Sequence, residues 1–180
     1  VIYRAREEGD DPSGALYSVR TSRPLERRRF HPELLVQSRF RWTPDGCRVV
    51  FFARSLADGT LALHSAQQDG TGTPTRLSSS LVQFSETLFF TPDRRRVVFP
   101  AHATSWGLFS APLDGSSPAI HLSAPLPYAG DPRMSADGSR LAFLDGQRMY
   151  TVPPDGSAPP LLVADPLMNT RDFALDAGGD

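Results

Sequence analysis

The chain has 180 residues, enough to bury a sizeable core as one domain or to form part of a larger one. Its formal net charge is −1, all 19 of its Lys-or-Arg residues are Arg, and no apolar run approaches the ~18 residues of a membrane helix. Charge and hydropathy therefore point to neither nucleic acid nor membrane insertion. A single cysteine, Cys47, excludes an internal disulfide, and 17 Pro with 14 Gly fit a chain of many turns.

In chain order, "VIYRAR" from Val1 and "LYSV" from Leu16 read as short strands, followed by a stretch anchored by Phe30 and Leu34. "RPLERRRFHPELL" (23–35) is the nearest approach to a helical pattern, but its Pro residues and its register with later strands predict a strand. At 42–54 stands "WTPDGCRVVFFAR", a strand end at Trp42, a Pro-Asp-Gly turn and a Val/Phe-rich strand from Val49. "LHSA" from Leu63, the turn "QDG" (68–70), Leu77 and Leu81 follow. The same sentence returns as "FTPDRRRVVFPAH" from Phe90 with "LFSA" from Leu108, and as "MSADGSRLAFLDG" from Met134 with "MYTV" from Met149. It begins again at Phe173 and Asp176.

The spacings hold without gaps. Trp42 to Val49, Phe90 to Val97 and Met134 to Leu141 are each 7 residues. Leu16, Leu63, Leu108 and Met149 each stand 14 residues before Phe30, Leu77, Leu122 and Val163, and four further on come Leu34, Leu81, Leu126 and Leu167. A repeat this regular is an architecture. Each unit reads as four strands, A to D, and a four-stranded meander repeating at 39–48 residues predicts an all-β, β-propeller fold in which successive blades stack because one meander cannot bury both faces. The expected organisation is BCD (1–36), three ABCD units (37–82, 83–126, 127–167) and the start of another (168–180).

The pattern [WF]-[ST]-P-D-G-x-x-[VL]-[VA]-F, carried by "WTPDGCRVVF", "FTPDRRRVVF" and "MSADGSRLAF", resembles the WD-like repeat of TolB-type β-propellers across essentially the whole chain. Arg94 replaces the turn Gly, Ala136 the Pro, and "RTSRP" (20–24) the first unit's second Asp-Gly turn. The resemblance implies part of a six- or seven-bladed propeller; a small closed four-bladed ring is the alternative. It also implies a protein-binding scaffold of the periplasm or the secreted space. The opening "VIYRAR" has neither the charged region nor the apolar run of a signal peptide, so compartment rests on the resemblance. Two other settings of such propellers are the regulatory cap of prolyl-oligopeptidase-like serine peptidases and an enzyme or sugar-binding site at the axis.

Loop lengths point to a face. The B-to-C distance shrinks along the chain, from 15 (Val1 to Leu16) through 14 (Val49 to Leu63) and 11 (Val97 to Leu108) to 8 (Leu141 to Met149). Variation confined to the B–C and D–A end suits a binding face, although surface loops also vary without function. From B–C loops the candidates are Glu8, Asp10, Asp11, Asp58, Trp106 and Arg148. From D–A loops and strand-A starts they are Arg39, Arg41, Glu86, Tyr128, Asp131, Arg133 and Arg171. Trp106 is the aromatic hot-spot candidate, whereas Trp42, a repeat anchor, is expected in the core.

Catalytic and metal chemistry find no pattern. G-x-S-x-G, H-E-x-x-H, C-x-x-C, P-loop and G-x-G-x-x-G motifs are absent, so no catalytic residue, metal or cofactor is expected. "EEGDDPSG" (7–14) lacks EF-hand spacing, the turn Asp residues suit Asx-turns, and His31, His64 and His121 fall at or beside packing positions. The two "RRR" runs (27–29, 94–96) read as solvated turn and edge residues. The reading is a non-catalytic module that binds a protein or peptide.

Overall fold

Each Val/Phe-rich run becomes the central strand of an antiparallel meander, because β-branched and aromatic side chains pack well on a pleated, two-sided surface. The computed structural model describes residues 2–5, 14–20, 22–37, 40–123, 132–165, 173–176 and 178, and among them there is no helix. Sheet 1 holds β1 (Ile2–Ala5), β2 (Ala15–Arg20) and β3 (Arg23–Phe30). Sheet 2 holds β4 (Leu34–Val36), β5 (Arg41–Trp42), β6 (Arg48–Ser55), β7 (Leu61–Gln67) and β8 (Thr75–Arg76). Sheet 3 holds β9 (Gln83–Phe84), β10 (Phe89–Phe90), β11 (Arg96–His102), β12 (Trp106–Pro112) and β13 (Ile120–His121). Sheet 4 holds β14 (Arg133–Met134), β15 (Leu141–Asp145), β16 (Arg148–Val152) and β17 (Leu161–Ala164).

The expected strand order A-B-C-D is present, with strand A of sheets 2 and 3 in two pieces that both pair with strand B. One boundary moves. Residues 34–36, expected in the first unit, pair with Ser55, Arg54 and Ala53 and so open sheet 2. The chain turns after Phe30 because His31 takes a left-handed φ of 44° and its carbonyl accepts the Leu34 N–H. The expected final strand A is not a strand at Phe173–Asp176, where Gly178 instead accepts the Ser139 hydroxyl through its carbonyl.

The chain divides into two compact units, Val1–Leu81 and Val82–Asp180. In the first, Leu16 and Phe30 of sheet 1 share a core with Val49, Phe51, Ala53 and Ala66 of sheet 2. In the second, Val98, Leu108 and Leu122 of sheet 3 meet Leu141, Phe143 and Val152 of sheet 4. Strands B and C of every sheet are locked by one cross-strand aromatic stack: Tyr3–Tyr17 (5.5 Å between centroids), Phe51–His64 (6.1 Å), Phe99–Phe109 (5.7 Å) and Phe143–Tyr150 (5.6 Å). His64 thus takes an aromatic's place in the repeat.

The A–B turns are built alike. The Thr43 hydroxyl donates to Asp45 (2.6 Å) and accepts from the Arg48 N–H (3.0 Å), while Asp45 also accepts the N–H of Cys47, the exposed lone thiol (3.0 Å). Thr91–Asp93 and Ser135–Asp137 repeat this cage with Arg96 and Arg140. These carboxylates are structural, as their spacing predicts. The turn needs a left-handed residue after the Asp: Gly46 has φ 70°, Gly138 72°, and Arg94 is held at 61°.

Two substitutions test this scheme in chemical denaturation. Phe99→Ala, which removes a fully buried ring, is expected to cost about 3–5 kcal/mol. Arg94→Gly is expected to stabilise by roughly 1 kcal/mol, since it relieves the left-handed penalty of a residue with a Cβ.

Candidate functional site

The described B–C loops are residues 56–60, 103–105 and 146–147, which shorten along the chain as predicted, while 6–13 lie outside the described residues. The stacked pairs hold strands B and C in register, and the loops therefore change length without disturbing the sheets. At this end of sheet 3, Trp106 opens β12 and pairs with His102, the last residue of β11. The two rings meet edge-on, 5.7 Å apart at 77°. The His102 carbonyl accepts the Val82 N–H at 2.7 Å, which puts exposed Val82 on the side of His102 away from Trp106. At the same end of sheet 4, Arg148 opens β16 opposite Asp145 and its Nε donates to Asp165 at 3.0 Å. That carboxylate raises the Arg148 pKa further above its ordinary value.

The sequence-derived candidates divide. Trp106 and Arg148 lie at strand starts on the loop end, and Trp106 is half-buried. Asp58 and Glu86 are exposed; Asp58 accepts the Thr60 N–H and hydroxyl, which lower its pKa. Arg41 and Arg133 are also exposed, but their placement differs from the expectation. Arg41 pairs with Val50 and Arg133 with Ala142, next to the A–B turns, so both stand at the opposite end of their strands from the B–C loops. In sheet 2 strand A begins earlier than its Trp42 anchor suggests, at Leu34, and Arg41 sits near its finish. Arg39, Tyr128, Asp131, Arg171, Glu8, Asp10 and Asp11 lie outside the described residues. The loop-end residues that sequence reasoning missed are His102, Val82 and Asp165. The 1:1 pairing of strand ends places them there, and no motif signals it.

A second correction concerns Trp42. Expected in the core, it is 40% exposed. It lines a cleft of about 690 Å³ within the first unit, together with Ile2, Ser18, Glu26, Arg28 and Asp69. Its repeat counterparts Phe90 and Met134 are half-buried, so the largest of the three side chains is the most exposed.

The histidines are packing groups. His64 is buried against Phe51, and its Nδ1 donates to the Ala62 carbonyl at 3.1 Å. His121 stacks on Phe109 at 4.6 Å, and burial lowers its pKa. His31 is buried 3.5 Å from Glu33, with burial again lowering its pKa. Among the described residues no group of three or more His, Cys, Asp or Glu could hold a metal ion.

No protein-family profile matches the chain, and no curated protein matches it. Solved structures do. TolB from Acinetobacter baumannii aligns with a TM-score of 0.53 at 17% identity, over 99% of this chain and 44% of that one. A puromycin-hydrolyzing peptidase of Mycobacterium tuberculosis aligns at 0.55 and 18% identity, over 91% and 29%. The β-propeller domain of Myceliophteria thermophila Cps50 (Swd1) aligns at 0.52 and 12% identity, over 91% and 56%. The fold is that of a β-propeller. The four sheets are blade-type meanders, and the chain spans little more than half of the Swd1 domain and less of the other two.

Burial drives the His64 pKa down from 6.5 to about 4. Between these values the unfolded chain binds a proton that the folded chain does not, so stability falls as pH drops from 6.5 towards 4 and is full above 6.5. An NMR titration should show the His64 ring neutral at pH 5.5, and His64→Phe should flatten its part of the stability loss in that window.

Proposed function

We propose that this propeller segment is a non-catalytic binding module that engages a protein or peptide through the B–C end of its blades, around Trp106. The observation that supports the reading is half-buried Trp106 at that end, paired with His102 on strands held in register, where the described B–C loops shorten from 5 to 3 to 2 residues. A half-buried aromatic at the rim of a rigid sheet is the kind of anchor that dominates peptide recognition. In this reading Arg148 and Asp165 form a polar rim, and catalysis, metals and cofactors play no part. Arg41 and Arg133, at the other end of their strands, are not part of this surface. The likeness to TolB suggests a periplasmic or secreted setting. The likeness to the puromycin-hydrolyzing peptidase supports a second reading, in which the segment belongs to a regulatory propeller of a serine peptidase. A G-x-S-x-G hydrolase domain in the flanking gene sequence would favour that second reading over the first.

Peptides selected from a displayed library on the immobilised chain, then titrated against variants, test the first reading. Trp106→Ala with Arg148→Ala should weaken the selected peptides about tenfold or more, with the melting temperature within a few degrees of the parent. Unchanged affinity in this variant, with loss in Trp42→Ala or Ser116→Ala at the turn end, would move the binding face to the opposite end.

A further inference from the structure

The cleft of the first unit is a polar site arranged around one exposed indole. Trp42 holds the strand-A anchor position that Phe90 and Met134 hold in sheets 3 and 4; those two are half-buried, whereas Trp42 is 40% exposed. On the sheet 1 side, Ile2, Ser18 and Arg28 stand in one cross-strand row and share a face that lines the cleft. On the sheet 2 side, the turn after β7 brings Gln68 and Asp69 to it. That turn is pinned. The Gln68 N–H donates to the Cys47 carbonyl at 3.0 Å, and Asp69 Oδ1 accepts the Thr71 N–H and hydroxyl at 2.9 and 2.6 Å. The bonds to Thr71 end on Oδ1 and leave Oδ2 to accept from a ligand, while the Gln68 amide can both donate and accept.

The charges of the lining cancel. Glu26 and Asp69 stand with Arg27 and Arg28, two acids with two arginines, and no net charge selects an ion. Two of the four are also committed within the protein, Glu26 to Arg23 at 3.3 Å and Arg27 over the Tyr17 ring at 5.5 Å. The ligand that such a lining suits is neutral, rich in hydroxyls, and apolar on one face. A hexopyranose ring has this make-up: its C–H face packs on an aromatic plate, and its hydroxyls pair with amide, carboxylate and hydroxyl groups. At about 690 Å³ the cleft has the size of a small-molecule site. A second turn-end cleft, about 500 Å³ between the A–B turns of sheets 3 and 4, is lined by Pro92, Asp93, Asp137 and Asp155 among others but by no aromatic ring. We propose that the Trp42 cleft binds a neutral hexopyranose, free or at the end of a glycan, with one ring face on Trp42 and its hydroxyls on Gln68, Asp69 and Ser18.

The test titrates the 180-residue chain with maltose, lactose and mannobiose, read by saturation-transfer NMR on the sugar. Tryptophan emission in a Trp106→Phe background, where Trp42 is the one remaining indole, gives a second readout. An array of neutral glycans separates a free sugar from a glycan end. Saturable binding is expected, with a Kd on the order of 1 mM for a small neutral ligand in an open cleft. Trp42→Ala and Gln68→Ala should each weaken it about fivefold or more by NMR, while Trp42→Phe, which keeps a ring as at Phe90, should retain most of it. Circular dichroism checks the fold of each variant. Asp155→Asn in the second cleft and Trp106→Ala should leave the affinity unchanged, so this proposal and the loop-end reading fail separately. No saturable signal from any disaccharide or arrayed glycan overturns the proposal, as does undiminished binding by a folded Trp42→Ala variant. Tighter binding of glucuronic acid than of glucose would show that Arg28 outweighs the acids and would overturn the assignment to a neutral ligand. A Trp42→Ala variant that loses library-selected peptides and no sugar would assign the cleft to a peptide and also defeat it.

Discussion

One contact recurs in every sheet: a ring on strand B stacked on a ring of strand C. Such a pair adds roughly 0.5–1.5 kcal/mol beyond its buried area. Its larger effect is on register. A one-residue slip of B against C would turn each ring to the other face and strip the intersheet cores of Leu16, Val98 and Leu141. Once the stacks hold B and C together, strand A can be broken into two pieces and strand D can vary from 2 to 8 residues without loss of the sheet. The variable parts of the molecule depend on this fixed one.

The turns add a second, polar constraint at one end of sheets 2, 3 and 4. A hydroxyl, a carboxylate and three backbone groups satisfy one another in a cage that closes within six residues, from Thr43 to Arg48. Backbone groups at a strand end need partners, and here the turn supplies them locally. Arg96 extends the arrangement across the sheet by donating from Nε to buried Ser110 at 2.8 Å. The A–B turns with these cages have little freedom to change. At the opposite end, the described B–C loops of 2 to 5 residues are where chemistry can be altered without refolding the blade.

The fold was legible because its periodicity is a packing requirement repeated in register: 7 residues from strand A anchor to strand B, and 14 from strand C to strand D. His64 was correctly placed as a packing residue because its repeat position is aromatic. Three features were less legible. Residues 34–36 could be assigned to either neighbouring sheet, and a left-handed His31, a conformation sequence does not announce, decided the matter. Arg41 was placed at the wrong end because strand A of sheet 2 is interrupted and starts further upstream than its anchor, and Arg133 because it pairs beside the A–B turn. Trp42 has the repeat position of a core residue but a ring too large to be covered as Phe90 and Met134 are, a question of volume that pattern alone does not address.

The lone thiol has a practical meaning. Cys47 is exposed in the first A–B turn, where its backbone N–H is held by Asp45 and its side chain faces solvent. The B–C loop of the same sheet lies at the far end of the strands. A maleimide dye, spin label or tether on Cys47 would therefore attach at one chemically unique point, orient the blade on a surface with its loops outward, and leave Trp106 as a separate optical reporter in the other unit.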